Sequence, residues 1–198
     1  MYKDRHADKP SQALDDREVW LQIKSGKRAG MEALYVRYAQ ELFRLGMSIK
    51  GDRSLVKDCI QEVFLNLWQY RYTVKTTDNV KLYLFKCLSN KIHKEVGKDK
   101  KRYGNLIPEM EENLGDDQEI DPENPIEKGS RLTEVLNSLP SRQHEVIQLL
   151  YFENHSYEDT SVIMGINVQS VYTLAWKAIA SLKKGFALIV MFFLGFFS

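Results

Sequence analysis

Apolar residues recur along most of the chain at steps of three and four positions, the spacing of one face of an α-helix. Between residues 17 and 50 the pattern is interrupted only around Gly26 to Gly30, which predicts a short helix followed by a longer one. Two more helices are predicted, from about Leu55 to Tyr70 and from about Val80 to Val96. Because no stretch alternates apolar and polar residues between turns, the sequence predicts an all-α fold without a sheet.

The helical pattern stops between residues 103 and 127, a stretch that contains acidic residues but no Lys or Arg. Pro108, Pro122 and Pro125 oppose helix formation there, and like charges favour an extended chain. This composition predicts an acidic linker at 103–127. It separates an amino-terminal helical domain at 17–102 from a smaller carboxy-terminal one at 128–184, which an apolar tail at 185–198 follows.

The second domain ends in a pattern typical of a helix-turn-helix. A helix is predicted from about Leu132 to Leu139, with Pro140 ending it and Ser141 available to cap the next. Two later helices, at 157–164 and from Val168 onward, are separated by the turn Gly165-Ile166-Asn167. In such a unit the second helix enters the major groove of DNA. Its polar side chains are the candidate base-reading residues: Gln169, Ser170, Tyr172, Thr173 and Lys177. An ordinary packed helix pair is the alternative for this segment taken alone.

A basic tract follows the fourth predicted helix. Cations in such a tract bind DNA phosphates by releasing counterions, and nearby aromatic residues can stack unpaired bases. A solvated helix end is the more ordinary interpretation of the tract by itself, but its combination with a helix-turn-helix favours nucleic acid. The tract consists of Lys91, Lys94, Lys98, Lys100, Lys101 and Arg102.

Charge and chemistry narrow the function further. The formal net charge is only +1, so a nucleic-acid surface requires segregated charge. Cys59 and Cys87 lie in apolar stretches without a CxxC, which indicates reduced core thiols and a cytoplasmic protein. The four histidines occur in unrelated contexts, and no hydrolase, zinc-protease or phosphate-loop motif is present. We therefore expect no catalytic residues, no metal and no cofactor.

Two blocks of the sequence resemble a known family. The segment DCIQEVFLNLW (Asp58 to Trp68) matches the D-x-x-Q-E-x-F-x-x-x-W signature of region 2 in extracytoplasmic-function (ECF) sigma factors of bacterial RNA polymerase. Residues 82–102 resemble the helix that follows in that family, with Asn90 before a basic end. Residues 136–184 resemble region 4. The two blocks stand in the family's order, across an acidic linker.

The resemblance implies an initiation factor and assigns roles to its parts. One face of the third helix would dock on the β′ clamp helices of core RNA polymerase, with the β flap as a second contact. Asn90 would help to capture a flipped base of the −10 promoter element, and the helix from Val168 would read the −35 element. The implied partners are core polymerase, promoter DNA and an anti-sigma factor. The residues on the docking face are Asp58, Gln61, Glu62, Leu65 and Gln69.

This sequence also departs from the family. Thr160 and Ser161 stand where the family usually has Ile and Ala in the bracing helix. The recognition helix lacks the arginines common in relatives and carries Tyr172, Trp176 and Lys177 instead. These departures bear on how the −35 element is read rather than on the fold.

An apolar run at 186–197, FALIVMFFLGFF, does not fit the family pattern. Twelve helical residues span about 18 Å, against roughly 30 Å of bilayer hydrocarbon, so stable membrane insertion is not expected. Three interpretations remain open: packing against the chain's own domains, contact with another protein or a second copy, and membrane association. The first predicts a self-restrained form, with DNA- or polymerase-binding surfaces hidden.

A conventional helix-turn-helix regulator is the main competing class. It would explain residues 136–184 but would leave the Asp58 to Trp68 segment without a role. Such a regulator predicts tight, specific duplex binding by the protein alone, whereas a sigma factor usually requires the polymerase. An enzyme is the class that the sequence supports least.

Overall fold

The structure is a computed structural model that describes the backbone of residues 15–103 and 129–196. Side chains are described for residues 15–98 and 133–184. Within these ranges the chain forms eight α-helices and one π-helical turn, with no strand. The predicted all-α class is confirmed.

The first four helices form the N-terminal module. They are α1 (Asp16–Lys24), α2 (Arg28–Ile49), α3 (Arg53–Gln69) and α4 (Val80–Tyr103). Each of them turns an apolar stripe inward, and α2 packs against all three others. The side chains at the centre of this module are almost fully buried: Trp20, Ile23, Leu34, Leu42, Leu45, Leu84, Phe85, Leu88 and Ile92.

The junction between α2 and α3 is fixed locally. The Asp52 carboxylate caps α3 by accepting a hydrogen bond from the Leu55 backbone N–H, at 3.0 Å. The helices then approach closely at Gly46, where an added Cβ would lie 2.4 Å from Val56 Cγ1. Glycine is required here because any side chain would push α3 off the core.

The remaining helices form the C-terminal module. They are α5 (Gly129–Asn137), α6 (Ser141–Ile147), α7 (Tyr157–Met164) and α8 (Val168–Phe196). A π-helical turn at Gln148–Phe152 extends α6. One detail of the prediction is wrong: Pro140 occupies the N-cap position of α6, and Ser141 is already its first helical residue. Proline suits this place because its fixed φ leads into a helix.

The helix-turn-helix geometry of α7 and α8 follows from three local residues. The Ser156 hydroxyl caps α7 by accepting from the Asp159 N–H at 2.9 Å. Gly165 ends α7 with φ at 65°, a left-handed conformation that favours glycine. The Asn167 side chain accepts from the Ser170 N–H at 2.7 Å and starts α8. The sequence predicted both helices and the turn at these positions.

Two helices run further than the apolar pattern indicated. Helix α4 continues to Tyr103, so the basic tract is helical and Tyr103, assigned above to the linker, is its last residue. Helix α8 continues without a break through the predicted tail to Phe196. Residues 104–128, which contain almost all of the predicted acidic linker, lie outside the described part of the chain.

The two modules pack against each other. Helix α4 lies against α7, and α2 lies against α6 and the π-helical turn. The C-terminal module therefore buries part of its surface on the N-terminal one.

Candidate functional site

Helix α3 presents the predicted docking residues on its outer surface. Asp58, Gln61, Glu62 and Gln69 are exposed, while Leu65 is an apolar side chain with 65% of its surface accessible. The buried stripe of the same helix, which includes Val56, Ile60 and Phe64, faces the core. All five predicted residues are therefore brought to one open side of the module.

An apolar groove adjoins this surface, between α2 and α3. It has a volume of about 450 Å³ and is lined mainly by aromatic and aliphatic side chains. The Tyr35 ring packs edge-on against Phe64, with centroids 5.1 Å apart, and remains 47% exposed. Because Gln61 and Leu65 also line the groove, it is continuous with the predicted docking face. The sequence did not indicate the groove, since Tyr35 and Leu65 are thirty positions apart. Its lining residues are Arg28, Met31, Glu32, Tyr35, Gln61, Phe64, Leu65 and Trp68.

The basic tract on α4 is partly neutralised by acids. Lys91 forms ion pairs with Glu62 on α3 and with Glu95 one turn along its own helix. Glu95 also pairs with Lys98 at 2.9 Å. These two lysines, through hydrogen bonds, lower the pKa of Glu95 to about 2. Lys94 is exposed, whereas the side chains of Lys100, Lys101 and Arg102 lie outside the described part.

Asn90 occupies an exposed stripe of α4 together with Lys86 and Lys94. These residues are four positions apart and so lie above one another on the helix surface. Ile92, on another side of α4, is fully buried in the module core. The predicted single-strand contact residue Asn90 is therefore exposed to solvent, next to the exposed cations Lys86 and Lys94.

Helix α8 presents the predicted duplex-binding residues along its free side. Gln169, Tyr172, Thr173 and Lys177 are exposed, and Ser170 is half-buried. Asn167, Gln169, Ser170 and Thr173 line a shallow depression at the start of the helix. Val171, Ala175 and Ala178 form the buried side.

Two aromatic residues belong to this surface in addition to the predicted set. Tyr157, the first residue of α7, stacks on Tyr172 with centroids 4.0 Å apart and planes at 14°. Trp176 lies one helical turn beyond Tyr172 and is 71% exposed. The sequence could have indicated that Trp176 belongs to this surface, because it is four positions from Tyr172 and so lies on the same face of the helix.

The junction between the modules contains a buried carboxylate. Glu145 of α6 has no accessible surface, yet its oxygens contact three side chains. The Ser89 hydroxyl donates to Glu145 Oε1 at 2.8 Å, His93 Nε2 lies 3.1 Å from Oε2, and Arg142 donates to Oε2 at 2.9 Å. Burial raises the pKa of Glu145, but the contacts with His93, Ser89 and Arg142 outweigh it and hold the pKa below its ordinary value. Glu145 is therefore ionised at neutral pH, and two of its three partners come from the other module.

A second buried carboxylate repeats this arrangement. The Glu153 side chain is 1% exposed and receives hydrogen bonds from Arg44 of α2 at 3.0 Å and Lys81 of α4 at 3.3 Å. Gln148 donates to the same carboxylate at 3.1 Å from within the C-terminal module. Nearby, the Phe85 ring packs edge-on against His155, with centroids 5.1 Å apart. Glu153 is thus stabilised by two cations of the other module.

These junction contacts were not visible in the sequence. Ser89 and Glu145 are 56 positions apart, and Arg44 and Glu153 are 109 apart. The available signal was the presence of two acids, Glu145 and Glu153, on either side of the largely apolar stretch from Val146 to Phe152. His93 and His155, which the sequence left in unrelated contexts, both lie at the junction.

Within the described residues, no cluster of His, Cys, Asp and Glu has the arrangement of a metal site. In the same part of the chain, no helix combines the length and apolar character that crossing a bilayer requires.

Both modules match family models of one protein family. Residues 34–102 match Sigma-70 region 2, and residues 130–182 match Sigma-70, region 4. The matches occur in the expected order and together cover more than half of the 198 residues. The chain belongs to the sigma-70 family. It is therefore a sigma factor, of the class that binds RNA polymerase and directs transcription initiation rather than catalysing a reaction itself.

Relatives of this sigma factor agree with the assignment. It is 24% identical over 153 residues to the ECF RNA polymerase sigma factor SigM of Bacillus subtilis, covering 77% of this chain and 93% of that protein. The fold resembles the sigma factor RpoE, solved with the anti-sigma factor NepR from Bartonella quintana. That match has a TM-score of 0.61 and 18% identity, and covers 79% of this chain and 96% of RpoE. CnrH, solved with the cytosolic domain of CnrY, matches with a TM-score of 0.61 and 20% identity, over 89% and 97% of the two chains.

Proposed function

We propose that this sigma factor docks on core RNA polymerase through the α3 face and the adjoining groove, and that its two modules divide promoter recognition. The observation that carries the proposal is the composition of the docking surface. Exposed Asp58, Gln61, Glu62 and Gln69 border an open apolar groove that contains the exposed Leu65. Polar complementarity around an apolar centre is the usual anatomy of a specific protein interface.

Promoter opening is assigned to α4. Asn90 would hold an unstacked base of the −10 element through its amide, while Lys91, Lys94, Lys98, Lys100, Lys101 and Arg102 would follow the phosphate backbone. The Lys91 pairs with Glu62 and Glu95 support a coupling between the surfaces. Binding of Glu62 to polymerase would free Lys91 to contact DNA, and binding of Lys91 to DNA would free Glu62 to contact polymerase.

Recognition of the −35 element is assigned to the start of α8. Gln169, Ser170, Tyr172, Thr173 and Lys177 lie on its free side, where a groove-bound helix meets base edges. A glutamine amide suits adenine, hydroxyls are less selective, and a lysine reaches guanine or phosphate.

The test is reconstitution of the full chain with core polymerase, followed by run-off transcription from genomic fragments. Asn90→Ala should impair promoter opening while polymerase binding remains near the parent value. Replacing Gln61 and Glu62 with Ala should weaken polymerase binding itself. Glu18→Ala, on an exposed part of α1 rather than α3, is the control. Equal loss of opening and binding in Asn90→Ala would contradict the role of Asn90.

A conventional helix-turn-helix regulator predicts different behaviour in the same assay. It would bind its duplex specifically without polymerase, and α3 substitutions would leave that binding unchanged. The exposed groove beside α3 favours the polymerase-dependent alternative, because a regulator acting alone has no use for it.

Regulation by a protein partner belongs to this proposal. RpoE was solved with an anti-sigma factor, and CnrH with the cytosolic domain of CnrY. We extend such partnership to this chain, in the cytoplasm where it would meet polymerase. Co-purification of a partner that lowers run-off transcription on addition is the expected result.

The apolar tail is assigned a self-restraining role. Helix α8 runs on through residues 186–196, and so many apolar residues require cover. Packing on the chain's own modules would provide it and would restrict access to polymerase or DNA. Deleting residues 186–198 should raise polymerase or promoter binding. Unchanged binding by a folded deletion variant would refute this role.

A further inference from the structure

The free side of α8 carries an unusual set of side chains for a helix assigned to duplex DNA. Tyr172 and Trp176 are 47% and 71% exposed and form an aromatic strip beside Gln169, Thr173 and Lys177. Such rings are seldom left in water without a partner surface, since each offers a large apolar area.

The Tyr172 ring is held in place. It stacks on Tyr157 at 4.0 Å between centroids and 14° between planes. Tyr157 is itself fixed as the first residue of α7, whose preceding residue Ser156 caps the helix. One face of the Tyr172 ring is thus covered, while 47% of the residue remains exposed. A ring fixed in this way loses little conformational entropy when it meets a ligand.

The charge of the same helix identifies the occupant as nucleic acid. From Gly165 to Lys184 the sequence contains Lys177, Lys183 and Lys184 but no Asp or Glu. All three lysines are exposed. An apolar protein partner would not need this cationic border, whereas the phosphates that flank a major groove do.

The aromatic side chains of the strip suit one particular feature of the DNA major groove. No arginine occurs between Gly165 and Lys184, so the bidentate arginine contact with guanine is absent from this helix. The one apolar feature that a base pair presents in the major groove is the C5-methyl group of thymine. Gln169, on the adjoining stripe, suits adenine.

We propose that Tyr172 and Trp176 determine −35 specificity by contacting thymine methyl groups, and that Tyr157 is a positioning residue for Tyr172. This inference rests on the proposed placement of α8 in the upstream duplex. It predicts an upstream element in which A·T pairs meet the first three turns of α8.

The test uses holoenzyme assembled from core polymerase and the full chain. A promoter fragment obtained by run-off selection is rebuilt with thymine replaced by deoxyuridine in the upstream duplex only. This change removes the methyl groups without altering base pairing. The uracil form should bind about fourfold more weakly for each methyl that the aromatic strip buries. Equal binding of the two forms would overturn the proposal.

The variants separate the ring from its hydroxyl and from its support. Tyr172→Phe should keep the thymine preference, and Tyr172→Ala should reduce it. Tyr157→Ala should also reduce the preference, because it removes the ring on which Tyr172 stacks. Phe152→Ala, an equally exposed aromatic residue on the π-helical turn, should leave it unchanged. If the double variant Tyr172→Ala, Trp176→Ala kept the full preference for thymine over uracil, the inference would be overturned.

A scrambled upstream duplex distinguishes this inference from the proposed function. If scrambling leaves holoenzyme binding unchanged, α8 does not read the upstream DNA, and the placement and the inference both fail. If scrambling weakens binding but deoxyuridine does not, only the inference fails. Thermal melting of each variant establishes that the helix-turn-helix remains folded.

Discussion

The two modules bury different kinds of side chain. The N-terminal module closes over large apolar residues, and among its side chains at 15–98 the buried polar ones are the serines Ser48 and Ser89. The C-terminal module instead buries Glu145, Gln148, Glu153 and Thr160. A buried charge requires compensation by charge or hydrogen bonds. Because Glu145 and Glu153 receive much of theirs from α2 and α4, the C-terminal module depends on its neighbour in a way that the N-terminal module does not.

The junction does not consist of these polar contacts alone. Buried apolar side chains of both modules, such as Leu88 and Leu149, belong to one hydrophobic cluster. Separation of the modules would therefore expose apolar surface as well as the paired charges. Four comparisons of stability test this description, from the largest expected effect to the smallest.

Removal of the Glu145 carboxylate should have the largest effect. Glu145→Ala leaves Ser89, His93 and Arg142 without their shared acceptor, and breaking a buried pair costs about 3–5 kcal/mol. Urea denaturation should show this loss in the free energy of unfolding. Glu134→Ala, on an exposed part of α5, should change it by less than about 0.5 kcal/mol. Similar effects of the two substitutions would contradict the asymmetry between the modules.

The bond between Ser89 and Glu145 should couple the modules energetically. Ser89→Ala alone should cost about 1–3 kcal/mol, because a buried acceptor loses its donor. In the Glu145→Gln background the cost should be smaller, with a coupling energy of about 0.5–3 kcal/mol in a double-mutant cycle. Strict additivity would mean that the two modules do not share this contact. Ser48→Ala, whose hydroxyl bonds within α2, is the additive control.

The buried hydroxyl of Thr160 in α7 should lower the stability of the folded protein. Thr160 is fully buried, and its Oγ1 has no hydrogen-bond partner among the described residues. Thr160→Val keeps the shape and removes the unpaired group, so it should raise the free energy of unfolding by about 1 kcal/mol. Thr173→Val, exposed on α8, should have no measurable effect on stability. A loss of stability in Thr160→Val would indicate that this hydroxyl is paired after all.

The pH dependence of His155 should be the smallest effect. Burial lowers its pKa from 6.5, the nearby Lys81 lowers it further, and Asp159, Glu153 and Glu41 oppose the shift. Below about pH 6.5 the unfolded chain therefore binds a proton that the folded chain does not. Stability should fall as the pH drops through that value. His155→Phe should remove this part of the loss between about pH 7.5 and about pH 5.5, measured by urea denaturation. An identical pH profile in the variant would exclude the contribution.

The sequence was most informative where structure is local. Spacing predicted the helices, and Gly165 with Asn167 marked the turn between α7 and α8. Residues on one helix face, such as Asp58, Gln61 and Leu65, were also accessible to pattern reasoning, because helical periodicity places them together. Their roles stay predictions until the variants are measured.

The sequence was least informative across long separations. The pairing of Ser89 with Glu145 and of Arg44 with Glu153 depends on how two modules meet, and no periodicity encodes that. The Tyr157–Tyr172 stack was missed for a related reason, since the turn at Gly165 sets the distance between the rings. The extension of helix α4 to Tyr103 was not predicted, because a charged segment without an apolar stripe carries little periodic signal. Its lysines nevertheless favour helix.

Equilibrium binding to core RNA polymerase tests the central claim most directly. The full chain and the variant lacking residues 186–198 are titrated against core enzyme, each with and without Ala at Gln61 and Glu62. We predict a saturable one-to-one complex, weakened by the α3 substitutions and strengthened by removal of the tail. Failure of both the full chain and the tail-deleted variant to associate with core enzyme, while remaining folded, would contradict the account.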